Sequence, residues 1–181
     1  MSDLISSRTI HQGKVIRVDE DQVRFPNGTT GALDIVRHPG ASAVVPFLSD
    51  PAGNDPTILL LRQYRHAAGG WLLEIPAGRL EPGETPEACA NRELLEETGC
   101  TCERLVPLTT ILTTPGFSDE RIHLFAAIGL THGAVRHDLD EFIEPQAMRL
   151  VEALEKVKSG EIRDAKSALA LLFAAGFLAN S

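Results

Sequence analysis

Residues 78–100 read GRLEPGETPEACANRELLEETGC, and this stretch decides how the rest of the chain is read. Thr85 suits a helix N-cap, Pro86 the first helical position, and Glu87 the first turn, where negative charge meets the positive end of the helix dipole. Gly99 suits a left-handed stop. The pattern therefore predicts a helix over Thr85–Gly99. At about 100° per residue, Glu93, Glu96 and Glu97 share one face, while Leu94 and Leu95 point away, with Ala88 on the side of Leu95. The expectation is an amphipathic helix whose polar face is three carboxylates wide. Gly78 and Gly83 allow a tight loop before it.

Like charges this close repel one another. A solvated acidic face is the plain explanation, and a hard-cation site is the functional one. Mg²⁺ takes oxygen ligands in octahedral order and keeps several waters. Clustered carboxylates and the phosphates of a substrate supply such a shell, in which divalent ions polarise phosphorus and acidify a bound water. Arg92 cannot ligate a cation, but its guanidinium can hold a carboxylate in a two-pronged grip. Glu84, at the loop end of the helix, is its natural partner.

Working outward toward the N-terminus, Lys14–Asp19, Gln22–Phe25 and Ala32–Arg37 read as strands of a small antiparallel meander, with Pro26-Asn27-Gly28 as a turn. His38-Pro39-Gly40 breaks it, so the expected division is a meander over 1–40 and a larger domain over 41–181. Ala41–Leu48, Thr57–Tyr64 and Trp71–Ile75 read as strands, interrupted by Ser49–Pro56 and Ala67–Gly70. Beyond Gly99, Leu105–Thr113 and Ile122–Ile128 read as strands around the loop TPGFSDE. His132–Glu141 is an acid-rich loop. Pro145–Ser159 and Asp164–Asn180 read as helices. This mixture predicts an α+β fold.

Bulk properties exclude several classes. At 181 residues, 43% hydrophobic and 23% charged, the chain has globular composition and can bury a real core. A net charge of -8 and a pI near 5.2 leave no broad basic face, so no nucleic-acid partner is expected. The odd set Cys89, Cys100 and Cys102 lacks a CxxC pair and predicts reduced thiols rather than a disulfide framework or zinc site. The N-terminus has no apolar signal core, and the apolar run Ala168–Ala175 is too short to span a bilayer. The expectation is a cytoplasmic protein without a membrane partner.

Gly78, Glu84, Arg92, Glu93, Leu94, Glu96, Glu97, Gly99 and Cys100 stand at the spacing G-x5-E-x7-R-E-U-x-E-E-x-G-U, with U apolar. This resembles the Nudix box, with Cys100 standing where a larger aliphatic is more usual. Further stretches resemble the ADP-ribose pyrophosphatase branch of that family. They are Gln63-Tyr64-Arg65, Glu74-Ile75-Pro76-Ala77-Gly78, Pro115 sixteen residues beyond Gly99, Glu141-Phe142-Ile143-Glu144, and Gly160–Ala165 followed by Lys166. Each has a plain structural explanation by itself; the set, in this order, carries the likeness.

The resemblance implies an α/β/α sandwich with a mixed sheet, plus a small N-terminal antiparallel sheet that joins a homodimer. It implies hydrolysis of the diphosphate of ADP-ribose to AMP and ribose 5-phosphate with Mg²⁺, or Mn²⁺ as the alternative ion. It places Glu93, Glu97 and the carbonyl of Ala77 on metal, with Glu96 a weaker ligand. Arg65 would bind the diphosphate, Glu74 or Arg37 would place the nucleoside or ribose, and Pro115 would mark the substrate type. The general base would come from the acidic loop, which offers Asp138, Asp140 and Glu141; Glu141, from its place before Phe142-Ile143, is the expected base. Glu96, Arg92 and Glu84 complete the expected catalytic set. The alternatives are a pyrophosphatase of another nucleotide sugar, such as a GDP-sugar, and an inactive nucleotide-sensing module.

Overall fold

The structure, a computed structural model, describes residues 3–133 and 143–178. Contacts divide the chain into two units: residues 1–40 with 111–122, and residues 41–110 with 123–181.

The first unit is built on a three-stranded antiparallel sheet, β1 (Asp3–Gln12), β2 (Arg17–Arg24) and β3 (Thr30–Arg37), with β2 in the centre. The β2–β3 turn falls where expected. Phe25 and Thr29 pair across it, Asn27 accepts from the Thr29 amide, and Gly28 takes φ 87°. The remainder departs from expectation. Lys14 to Ile16, read as the start of a strand, lie in a turn closed by Gly13 N–H on Ile16 O at 2.9 Å. The polar N-terminus, to which the sequence assigns no strand of its own, holds the long strand β1. Its residues are all exposed, so no burial alternation announces it. On β2, Asp19 and Asp21 are buried beside Val23. Ser7 and Thr9 donate to them, and Arg37 bridges both.

In the second unit, β4 (Ala41–Pro46) lies inside a four-stranded sheet of order β7-β4-β9-β8, with β7 (Ala77–Arg79), β8 (Cys100–Leu112) and β9 (Arg121–His132). A three-stranded sheet of order β10-β5-β6 holds β5 (Thr57–Arg65), β6 (Gly70–Glu74) and β10 (Ile143–Arg149). The helices are α1 (Pro86–Thr98), α2 (Leu150–Ser159) and α3 (Ala165–Phe177). From Ser42 to Pro46 every residue of β4 is buried, as befits a strand covered on both faces. Ser42 and Val44 face α1: the Ser42 hydroxyl donates to Pro86 O at 2.8 Å, and Val44 packs with Ala90, Leu94, Cys100, Phe125 and Ala127. Ala43 and Val45 alternate to the other side, where α3 packs on β4. Helices on both faces of a sheet make the expected α/β/α layering.

In the second unit the segment from Ile143 differs from expectation. Pro145–Ser159 was expected to be a single helix. Instead Ile143–Arg149 pairs antiparallel with β5, Pro145 opposite Leu61, and the helix starts only at Leu150. Proline is tolerated because β10 is an edge strand. The last helix runs from Ala165 with Asp164 as N-cap, accepting from Ser167 N–H at 3.0 Å.

Candidate active site

Helix α1 begins and ends on the expected residues. Thr85 Oγ1 accepts from Ala88 N–H at 3.2 Å, and Gly99, at φ 69°, donates its N–H to Leu95 O at 2.8 Å. Its faces are not disposed as expected. Leu95 and Ala88 are exposed, whereas Glu93 and Glu97 are buried, at 8% and 2% exposure. The inward face does two things at once. Ala90 and Leu94 fill the core, and the carboxylates one turn apart close against β7. Such local inconsistency between burial and polarity is what functional sites show.

Arg92 ties the loop to the helix. Its Nε and Nη2 hold the two oxygens of Glu84 at 2.9 and 3.0 Å, the expected two-pronged pair. Its Nη1 reaches Glu93 at 2.6 Å and Glu96 at 3.0 Å, and Nη2 also donates to Arg79 O at 3.0 Å. Glu84 additionally accepts from Glu81 N–H. The Arg92 hydrogen bond, aided by that amide, lowers the Glu84 carboxyl from 4.5 to about 2. In return Glu84 first, then Glu93 and Glu96, raise the Arg92 guanidinium above its ordinary range. Beneath this cluster Cys89 donates to Gly78 O at 3.4 Å, and burial pushes its thiol up to about 11.

The segment Glu74–Gly78 is held at every residue. Arg65 Nε and Nη2 bind both oxygens of Glu74, at 3.0 and 3.1 Å, and Lys166 Nζ adds a third contact at 2.6 Å. Ile75 N–H donates to Ser167 Oγ at 2.9 Å, Val44 N–H to Pro76 O at 2.9 Å, and Ala77 N–H to Glu97 Oε2 at 2.9 Å. Gly78 comes so close to α1 that a Cβ there would lie 1.7 Å from Glu93 Oε1. Burial acts against the charge of Arg65, but Glu74, Glu97 and Asp164 together raise its pKa.

Residues 65, 74, 77, 84, 92, 93, 96 and 97 thus lie in the second unit. Arg37 and Pro115 lie in the first. There Arg37 bonds Asp19, Asp21 and Asp119, and Asp119 also accepts from His38 N–H at 2.9 Å. The loop carrying Pro115 is fastened to β3 by Val36 N–H on Phe117 O and Asp119 N–H on Val36 O, at 2.8 and 3.1 Å. Glu141, Asp138 and Asp140 lie outside the described residues. Sequence reasoning missed Ser42 and Ser167, and it met Asp164 and Lys166 only at the start of the last helix. The N-cap signal of Asp164 was the one local hint.

Among the described residues, no three His, Cys, Asp or Glu side chains form a metal cage by themselves. Glu93 is drawn to Arg92 and Glu97 to the Ala77 amide. A hydrated hard cation nevertheless suits this donor set. The available groups are all oxygen, and Mg²⁺ is commonly held by one or two carboxylates plus waters and substrate phosphates. The missing Cβ of Gly78 leaves the room that the Glu93 carboxylate occupies.

Known proteins resemble this chain in sequence and in fold. The model of the NUDIX domain matches residues 38–170, and that of the nucleoside diphosphate sugar hydrolase N-terminal domain matches residues 3–32. The chain is 42% identical to a methanol dehydrogenase activator of Bacillus methanolicus and 40% identical to an ADP-ribose pyrophosphatase of Bacillus subtilis. Both matches cover 93% of this chain and 90% of the relative. It is 39% identical to a GDP-mannose pyrophosphatase of Cronobacter sakazakii, over 64% of each chain. The crystal structure of an ADP compounds hydrolase superposes with a TM-score of 0.82 at 20% identity, covering 98% of this chain and 94% of that one. The NUDIX match spans well over half of the chain, and the Bacillus subtilis relative is covered almost end to end. The chain belongs to the Nudix hydrolase family.

Proposed function

We propose that this chain hydrolyses the diphosphate of ADP-ribose, releasing AMP and ribose 5-phosphate. The observation that carries this reading is the lock of Glu93 and Glu97 onto Ala77–Gly78, held by Arg92 and Glu84. In the reaction a water oxygen bonds to one phosphorus and the P–O bond to the bridging oxygen breaks. The leaving phosphate keeps the electron pair, and the water proton passes to a base.

Glu93, Glu97 and the Ala77 carbonyl would hold Mg²⁺ or Mn²⁺, with Glu96 as a further ligand or catalytic acid. When bound, the ion offsets diphosphate charge and acidifies water. Arg92 and Glu84 orient these carboxylates. Arg65, whose side chain is 40% exposed, binds the diphosphate, and Glu74 fixes its direction. Arg37 and Pro115 serve the nucleoside or ribose end, with Arg37 steadying the Pro115 loop through Asp119. Glu141 accepts the proton, and Asp138 and Asp140 are the competing acids beside it in the sequence.

A GDP-sugar is the second reading, favoured by the GDP-mannose pyrophosphatase relative. Its match covers less of the chain than that of the ADP-ribose pyrophosphatase, which decides the order. Release of AMP from ADP-ribose on addition of Mg²⁺ tests the proposal; binding without turnover under any divalent ion would leave a sensing module instead.

The N-terminal sheet within residues 1–40 is read as the homodimerisation element. In its support, Leu4, Ile5 and Ile10 on β1 are each more than half exposed. Free thiols at Cys89, Cys100 and Cys102 support a reducing, cytoplasmic setting. Among the described residues no helix is long and apolar enough to cross a membrane.

A further inference from the structure

Glu74 is a core carboxylate, 2% exposed, with two cations on it. Arg65 grips both oxygens. Lys166 Nζ approaches Oε2 more closely, at 2.6 Å, and is itself covered, its side chain 13% exposed. The same ammonium lies 2.9 Å from Asp164 Oδ2. Asp164 caps α3 and accepts from both the amide and the hydroxyl of Ser167, whose oxygen in turn accepts from Ile75 N–H. The first turn of α3 is therefore fastened to the end of β6 by a side chain and by a backbone amide.

An ordinary surface lysine in an ion pair contributes little. Lys166 is different because it is covered and its partner already has a bidentate guanidinium. Together Arg65, Lys166, Glu74 and Asp164 are formally neutral. Without Lys166 the group is net negative, and Glu74 has Arg65 alone to satisfy it. Glu74 would then hold the guanidinium more firmly, and the field met by an arriving anion would turn unfavourable.

We propose that Lys166 is a positioning residue for diphosphate recognition. By sharing Glu74 Oε2 it limits the hold of Glu74 on Arg65, and so leaves the guanidinium available to an incoming diphosphate. This rests on the reading of Arg65 as the diphosphate-binding residue. Lys166 acts through Glu74 and does not touch the substrate.

The test uses the full chain, with inorganic pyrophosphate as the calorimetric probe and ADP-ribose with Mg²⁺ for kinetics. Lys166→Met should weaken pyrophosphate binding about tenfold and raise KM with kcat little changed. Lys166→Gln, which keeps a donor for Glu74 without the charge, carries the same expectation and serves if the Met variant fails to fold. Lys166→Arg should restore most of the affinity. Lys158→Met removes a cation from an exposed pair with Glu155 and should change nothing. Wild-type affinity and KM in the Met and Gln variants, whatever their thermal stability, would overturn the proposal. So would an equal loss in Lys158→Met, or a wild-type chain that binds no pyrophosphate. A wild type that binds pyrophosphate but leaves ADP-ribose intact would contradict the substrate reading alone, and the pyrophosphate series would still decide the role of Lys166.

Discussion

The Glu93 carboxylate occupies the space that a side chain on residue 78 would need: a Cβ on Gly78 would stand 1.7 Å from Glu93 Oε1. The glycine serves close approach here, since residue 78 is absent from the positive-φ glycines. Gly78→Ala must therefore displace Glu93 or open β7 from α1. The expected result is a folded protein with kcat reduced about a hundredfold, the scale of an ångström-sized misplacement. Steady-state kinetics beside a thermal melt checks this, and near-normal turnover would show that Glu93 is not held for chemistry.

Glu97→Gln removes charge from the proposed metal shell and keeps the shape. The amide oxygen can still accept from Ala77 N–H. Folding should be retained, and kcat should fall by at least about a hundredfold, beyond the loss typical of groups one layer further from a metal. Circular dichroism and turnover measured on the same preparation separate the two effects.

Glu84 makes stability depend on pH in the acid range. The fold favours its charged form, since Arg92 holds the carboxyl near 2 instead of its ordinary 4.5. Its contribution is thus complete above pH 4.5 and fades as pH falls toward the folded value near 2. Urea unfolding of wild type and Glu84→Gln should show a gap near neutral pH that has mostly closed by about pH 2.5. A gap that stays constant would mean that the Arg92 pair does not favour the charged carboxylate.

If β1 serves dimerisation, sedimentation should give a dimer for the intact chain. The double variant Ile5→Asp/Ile10→Asp should give monomers, because it puts charges at exposed apolar positions of a polar strand. A dimer that survives this change would place the contact elsewhere.

Local chemistry was legible in the sequence, and distant pairing was not. Thr85, Pro86 and Gly99 announced both ends of α1 because caps are satisfied by neighbours a few residues away. The Arg92–Glu84 pair was readable for the same reason. That Glu93 and Glu97 turn inward while Leu95 faces solvent depends on β7, which helical spacing alone does not reveal. Met148 suited a helical spacing with Val151, Leu154 and Val157, yet its segment pairs with β5 far back in the chain. Lys166 reaches Glu74 across 92 residues, and no local pattern signals that contact. Arg37 reads as a substrate contact through the family resemblance alone, and its three carboxylate partners come from β2 and the loop before β9, which no local pattern signals.

The most direct test of the central claim is kcat/KM measured with Mg²⁺ on purified protein for ADP-ribose beside GDP-mannose, with products identified by chromatography. ADP-ribose hydrolysis as the activity requires AMP and ribose 5-phosphate from ADP-ribose, with the higher kcat/KM for that substrate. Faster release of GMP from GDP-mannose, or no AMP from ADP-ribose under any divalent ion, would contradict it.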